Sequence, residues 1–188
     1  MSKGLHEKPT KFGYRSNLEL GEIPITPIKF ENQNYTGNLK GGSVAAHEVL
    51  KSFIADRHKG YSKSISSPLT AEVHSSRLSA HLTWGTISSR EIVHRIKAVR
   101  DRAHENPKLV NKGDLAAFCS RLAWRCHFIQ KLEDQPSIEH ACMHGAFEEV
   151  RAKHGNQNML NAWSVGSTGF PMVDACMRFL KQNGWINF

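Results

Sequence analysis

Long apolar runs are what this 188-residue sequence lacks most clearly. None approaches the roughly 20 residues that cross a hydrocarbon core. The opening MSKGLHEKPTKF has no apolar stretch of the kind a secretory leader needs. A soluble, cytoplasmic protein without a membrane partner is the expectation. Cysteine is scarce: Cys119, Cys126, Cys142 and Cys176 are the only four, and no pair has C-x-x-C spacing. Neither a disulfide framework nor a zinc site is indicated, and buried free thiols on helices are expected. His140 and His144 stand four apart but lack the adjacent glutamate of H-E-x-x-H, so they read as surface histidines and no metal is expected. Acidic residues are outnumbered, 17 against 25 basic, giving a net charge of +8 and a pI near 9.5. That balance favours a polyanion such as nucleic acid, with a merely solvated basic surface as the alternative. A hydrophobic content of 39% with 22% charged residues is ordinary for a globular chain and excludes disorder throughout. The length suffices for one domain with a core.

Helical periodicity is what the chain does have. Met1 to about Lys40, with Pro24 and Pro27, is poor in periodicity and reads as an irregular linker or lead-in. Val49, Leu50, Phe53 and Ile54 predict a helix capped near Ser43 and ended by Gly60, followed by a loop from Tyr61 to Thr70. Ser75, Ser76 and Ser79 bring hydroxyls and open N–H groups to a helix start, which suits either a cap or a bound phosphate. Ser88 and Glu91 form a capping box ahead of Ile92, Val93, Ile96 and Val99, and the opposite face is basic and solvated. Leu115, Phe118, Leu122, Cys126, Ile129 and Leu132 mark a long amphipathic helix. Its second face carries Arg121, Trp124, Arg125 and Phe128, which either pack in a core or stack a base or flavin ring. Another helix is predicted after Pro136, through Ile138, Ala141, Cys142, Phe147 and Val150, followed by the loop HGNQN. At the end, Gly166 to Gly169 read as a loop and Pro171 as a first helical position. Met172, Val173, Cys176, Met177 and Leu180 recur at helical spacing, Asp174 can pair with Arg178, and Gly184 is the stop. The fold class expected is all-α, a multi-helix, bundle-like domain.

The stretch TGFPMVDACMRFLKQNGW, from Thr168 to Trp185, resembles the T-G-[YF]-P-x-V-D-A-x-M-R-x-L-x-x-x-G-W motif in the FAD-binding helical domain of photolyases and cryptochromes. SSRLSAHLTWGTISSRE, from Ser75 to Glu91, and FCSRLAWRCHF, from Phe118 to Phe128, resemble other parts of that domain in the same order. The resemblance covers roughly residues 41 to 188. It implies the N-terminal part of the FAD-binding domain, without the helices that follow the G-W corner in the family. FAD is the implied cofactor of the parent protein, and DNA with UV-damaged pyrimidines its partner. The implied reaction is light-dependent splitting of the lesion by electron transfer from reduced flavin, and no catalytic side chain is expected because the cofactor carries the chemistry.

Residue by residue, Ser75, Ser76, Leu78 through its backbone, and Ser79 inherit the FAD pyrophosphate. Tyr61, Phe118 and Arg125 inherit the flavin environment, Trp124 the lesion, and Trp185 a corner that approaches both FAD and DNA. Arg121 stands where photolyases acting on cyclobutane dimers place a glutamate, so a permanent donor and cation replaces an acceptor. This departure leaves open a different lesion, a single-stranded substrate, or a cryptochrome-like blue-light photoreceptor. A chain holding only part of the pocket also reads as an inactive helical nucleic-acid-binding fragment, with exposed core surface that favours dimerisation.

Overall fold

Helix caps and glycine stops divide the chain as far as its local chemistry dictates, and tertiary contacts decide the rest. The computed structural model describes residues 39–105, 107–150 and 155–187. The expected lead-in lies almost wholly outside the described residues. Among them the structure is helical and contains no strand. None of their helices is long and apolar enough to cross a membrane.

Helix α1 (Gly42–Ser52) is N-capped by the extended backbone of Gly41 rather than by Ser43, whose hydroxyl lies 3.3 Å from His47 Nδ1. It widens into a π-helical turn, Phe53–Arg57, and the chain reverses where Gly60 adopts φ 82°. The predicted Tyr61 to Thr70 loop instead begins as a short helix, α2 (Tyr61–Ser64), and α3 (Ala71–His74) follows it. The physical reason is distant in sequence. Asp114 accepts hydrogen bonds from the N–H groups of Gly60 and Ser62, at 2.8 and 2.9 Å, and from the Ser62 hydroxyl, so it caps α2 from outside. Helix α4 (Ser79–Thr83) leads to α5 (Ser89–Asp101), where Ser88 Oγ accepts from the Glu91 N–H at 3.1 Å as the capping box requires. The Glu91 side chain turns instead to His47 at 2.7 Å and Arg95 at 2.9 Å.

The longest helix, α6 (Lys112–Asp134), is capped by Asn111 and buries Leu115, Phe118 and Leu122. Phe53, Tyr61 and Phe118 meet edge to face, with ring centres 4.8 to 5.6 Å apart, and Leu50, Leu78, Ile87, Ile92 and Ile96 pack around them. Each such side chain contributes about 1.5–3 kcal/mol on burial, so this cluster holds α1, α2, α5 and α6 together.

The helix predicted after Pro136 does not form. Only the 3-10 turns Pro136–Glu139 and Gly145–Phe147 are present, and Phe147 and Val150 stay exposed because no core surface meets them. Cys142, expected to be buried, is exposed in this stretch, whereas Cys119, Cys126 and Cys176 are half-buried; all four are free. A helix absent from the prediction, α7 (Gln157–Val165), is capped by Asn156 Oδ1 and ended by Gly166 at φ 71°. Helix α8 (Pro171–Asn183) begins and ends as expected, with proline in its first turn and Gly184 at φ 61°.

Candidate functional site

Between α3 and α4 the chain makes a sharp turn through Ser75, Ser76 and Arg77. Arg77 adopts φ 58°, a left-handed conformation that costs a non-glycine residue about 1–2 kcal/mol. Two guanidinium groups secure the turn. Arg57, from the π-helical turn, donates to the Ser75 carbonyl, to the Val49 carbonyl at 2.9 Å, to the Ser52 hydroxyl at 3.0 Å and to the Ser76 carbonyl at 3.4 Å. Burial, and then the charge of Arg77, lower its pKa. Arg77 pairs with Glu72 at 3.0 Å and lies over the Trp185 ring, 4.2 Å from its centre, a cation–π contact that ties the turn to the segment after α8.

Within the turn, the Ser75 hydroxyl is buried and has no hydrogen-bond partner among the described residues. The Ser76 hydroxyl accepts a long 3.4 Å bond from the Leu78 N–H, the Leu78 side chain is in the core, and Ser79 is exposed at the start of α4.

Helix α6 supplies the second group. Phe118 and Tyr61 lie together in the aromatic core, each only 3% exposed. Burial pushes the Tyr61 hydroxyl up to about 12, with the Arg121 charge opposing it, which puts the exposed Arg121 within electrostatic reach of this tyrosine. Arg125 donates to the Leu82 carbonyl at 3.3 Å and so fastens α6 to α4. Trp124 is 53% exposed, beside His127 and Phe128.

Trp185 completes the set after the end of α8, packed edge to face on Phe179, and Asp174 fixes the start of that helix. Asp174 accepts from the Thr168 N–H and hydroxyl, both at 2.7 Å, and from the Gly169 N–H at 3.0 Å. Those bonds, the Thr168 hydroxyl first, hold its carboxyl below the usual range despite burial. Arg178 stands 3.8 Å from Asp174 but makes its shorter bond, 2.9 Å, to the Gly166 carbonyl. A small cleft of about 110 Å³ opens beside Trp185, lined by Glu72, Cys176 and Phe179 among others.

The structure therefore joins Ser75 to Ser79 with Trp185 through Arg77, and α6 with α4 through Arg125. It sets Tyr61 and Phe118 side by side in the core and leaves Trp124 on the surface. Sequence reasoning missed Arg57, Arg77 and Asp114, because each acts through partners far away in the chain. A basic residue next to the serine pair was the only local signal for any of them.

Residues 118–188 match the family described as the FAD binding domain of DNA photolyase. The chain is 32% identical over 161 residues to a deoxyribodipyrimidine photo-lyase of Streptomyces griseus, covering 80% of this chain and 30% of that protein. It is 29% identical over 178 residues to the deoxyribodipyrimidine photo-lyase of Escherichia coli K12, covering 92% and 35%. To Cryptochrome-1 of Drosophila melanogaster it is 28% identical over 185 residues, covering 91% and 34%. Among solved structures, a bacterial class III photolyase from Agrobacterium tumefaciens superposes with a TM-score of 0.69 at 27% identity, over 78% of this chain and 28% of that one.

The chain belongs to the photolyase and cryptochrome family. It spans about a third of the length of the curated relatives it matches. The all-α architecture is that of the photolyase FAD-binding domain. The matched segment takes in α6 from Phe118 onward, α7, α8 and Trp185, so the Ser75 to Ser79 turn lies ahead of it, within the longer alignments to photolyases and cryptochrome.

Proposed function

We propose that this chain forms part of the flavin pocket of a cytoplasmic, light-dependent DNA photolyase that splits UV-induced pyrimidine lesions, with residues 41–188 as the N-terminal part of the FAD-binding domain. The observation that carries this reading is the meeting of three blocks distant in sequence: the Ser75 to Ser79 turn, α6, and the Trp185 corner, joined by Arg77 on Trp185 and by Arg125 on Leu82. The donor set fits a pyrophosphate, because a buried, unsatisfied Ser75 hydroxyl and two arginines converge on one turn. When bound, FAD supplies light absorption and the transferable electron.

The chain's residues bind and orient. Ser75, Ser76 and Ser79, with the Leu78 N–H, donate to the pyrophosphate. Tyr61 and Phe118 give the flavin environment an apolar floor, and Arg125 keeps α6 against α4. Trp124 and Trp185 offer faces on which an unstacked base rests, in place of its lost pairing. The net charge of +8 draws DNA to that surface. Exposed apolar residues on α6 and α8 favour self-association.

The test is a FAD titration of the purified chain, followed by illumination with a UV-irradiated oligonucleotide. Saturable flavin binding and light-dependent loss of lesions are expected. Absence of both overturns this reading and leaves a helical nucleic-acid-binding role. A second reading, a cryptochrome-like photoreceptor, is favoured by Arg121, which removes a proton-sharing acceptor from α6. Flavin binding with equal affinity for irradiated and intact DNA selects it.

A further inference from the structure

We infer that Arg57 positions the Ser75 to Ser79 turn for a phosphate group and sets the charge of that site; the inference rests on the flavin reading above. Its guanidinium is enclosed by neutral partners only. These are the Val49, Ser75 and Ser76 carbonyls, the Ser52 hydroxyl and the Phe53 ring, whose centre is 5.7 Å away. Among the described residues no carboxylate lies within ion-pair distance of it. An arginine stays protonated even when desolvated, so a half-buried positive charge persists here without compensation.

The peptide geometry then determines what faces the other way. In a trans peptide the N–H points opposite to the preceding C=O. Arg57 draws the Ser75 and Ser76 carbonyls toward itself, so the N–H groups of Ser76 and Arg77 are turned away from it. Neither donates a hydrogen bond among the described residues. The left-handed Arg77 is followed by a right-handed Leu78 at φ −94°, an alternation that turns the Arg77 and Leu78 N–H groups to one side, the second of them held only by the long 3.4 Å bond to Ser76 Oγ. The Ser75 hydroxyl is unsatisfied in the same turn, and the Glu72 carboxylate is already paired with Arg77. Two unbonded N–H groups in front of an uncompensated cation describe a seat for a pyrophosphate, and Arg57 is what orients it.

The test compares R57Q, which keeps neutral donors for the carbonyls, with R57K, which keeps the charge, in the full chain. Affinities for FAD and for riboflavin, which lacks phosphate, are measured together with the amide signals of Ser76 and Arg77. R57Q is expected to weaken FAD roughly ten-fold or more, the scale of a charge-assisted hydrogen bond, with riboflavin unchanged and R57K recovering most of the loss. Equal losses for both flavins, or no loss, overturn the inference. If the wild-type chain takes neither flavin, the flavin reading fails by itself and inorganic pyrophosphate decides the role of Arg57. Shifts of the two amides that vanish in R57Q support it, and no shift in the wild type overturns it.

Discussion

His58 is fully buried where the π-helical turn meets the start of α6. Its Nε2 accepts from the Asn111 N–H at 3.1 Å, so Nδ1 carries the proton toward the Phe53 carbonyl, 3.3 Å away. That pattern requires a neutral ring. Burial, partly offset by the Phe53 bond, lowers its pKa below the ordinary 6.5. His47 has the opposite sign, because its hydrogen bond to the Glu91 carboxylate raises its pKa. A group with a lowered folded pKa takes up its proton more readily when unfolded, so the His58 contribution is complete above pH 6.5 and is lost as pH falls below it. The His47 contribution is complete below pH 6.5 and is lost as pH rises through its raised value. The thermal midpoint should therefore decline on both sides of neutrality. H58L is expected to lower the midpoint at pH 7 yet flatten the limb from pH 6.5 to 5, and E91Q to flatten the alkaline limb. Calorimetric midpoints on both sides of pH 6.5 check both, and an unchanged acid slope in H58L refutes the assignment.

Two carboxylates serve as caps for elements other than their own. Asp114 sits in the first turn of α6 and closes α2, while Asp174 sits in the first turn of α8 and closes the Thr168–Gly169 loop. Burial raises the Asp114 carboxyl, but the Ser62 and Gly60 bonds outweigh it and hold the value below normal, so this stabilisation is lost as pH falls below about 4. D114N leaves buried donors facing an amide and should cost about 1–3 kcal/mol, read as a lower denaturation midpoint with faster amide exchange in Tyr61–Ser64. Gly166 controls the α7–α8 corner: at φ 71°, an added Cβ meets the Asp174 carbonyl oxygen at 2.8 Å. G166A should destabilise by more than the about 1–2 kcal/mol of left-handed strain alone, with exchange rising in α7 and α8 but not in α5. These elements also show what was legible in the sequence. Helix α8 could be read because proline, periodicity and glycine all lie within it. Helix α2 could not, because its cap is Asp114, 52 to 54 positions away from the N–H groups it accepts from. Periodicity alone predicted a helix after Pro136, and with no surface for Phe147 and Val150 to pack against it did not form. The serine turn was legible as a motif, whereas the arginines that shape it are recognisable only once the chain is folded.

On the scale of the whole molecule, the core is concentrated in the first half of the described chain. Past Leu122 no large apolar side chain is fully buried among the described residues, and Trp124, Phe128, Ile129, Leu132, Phe170 and Met172 are exposed. Such surface seeks cover, whether from a second copy or from further helices of the family domain. The chain also carries a net charge of +8, so the self-association and the phosphate contact proposed above would respond oppositely to salt. Apolar association holds or strengthens as salt rises, while contact with phosphates weakens steeply, by about 10³ or more between roughly 50 and 200 mM where six or more phosphates are contacted. Sedimentation of the chain alone is expected to show dimers that persist at high salt and are lost in a double variant, F128S with I129S. Binding to a fluorescent oligonucleotide is expected to fall with salt and to survive that variant. If the dimer dissolves in salt and withstands the double substitution, charge rather than apolar surface holds the copies together, and the second half of α6 is not the contact.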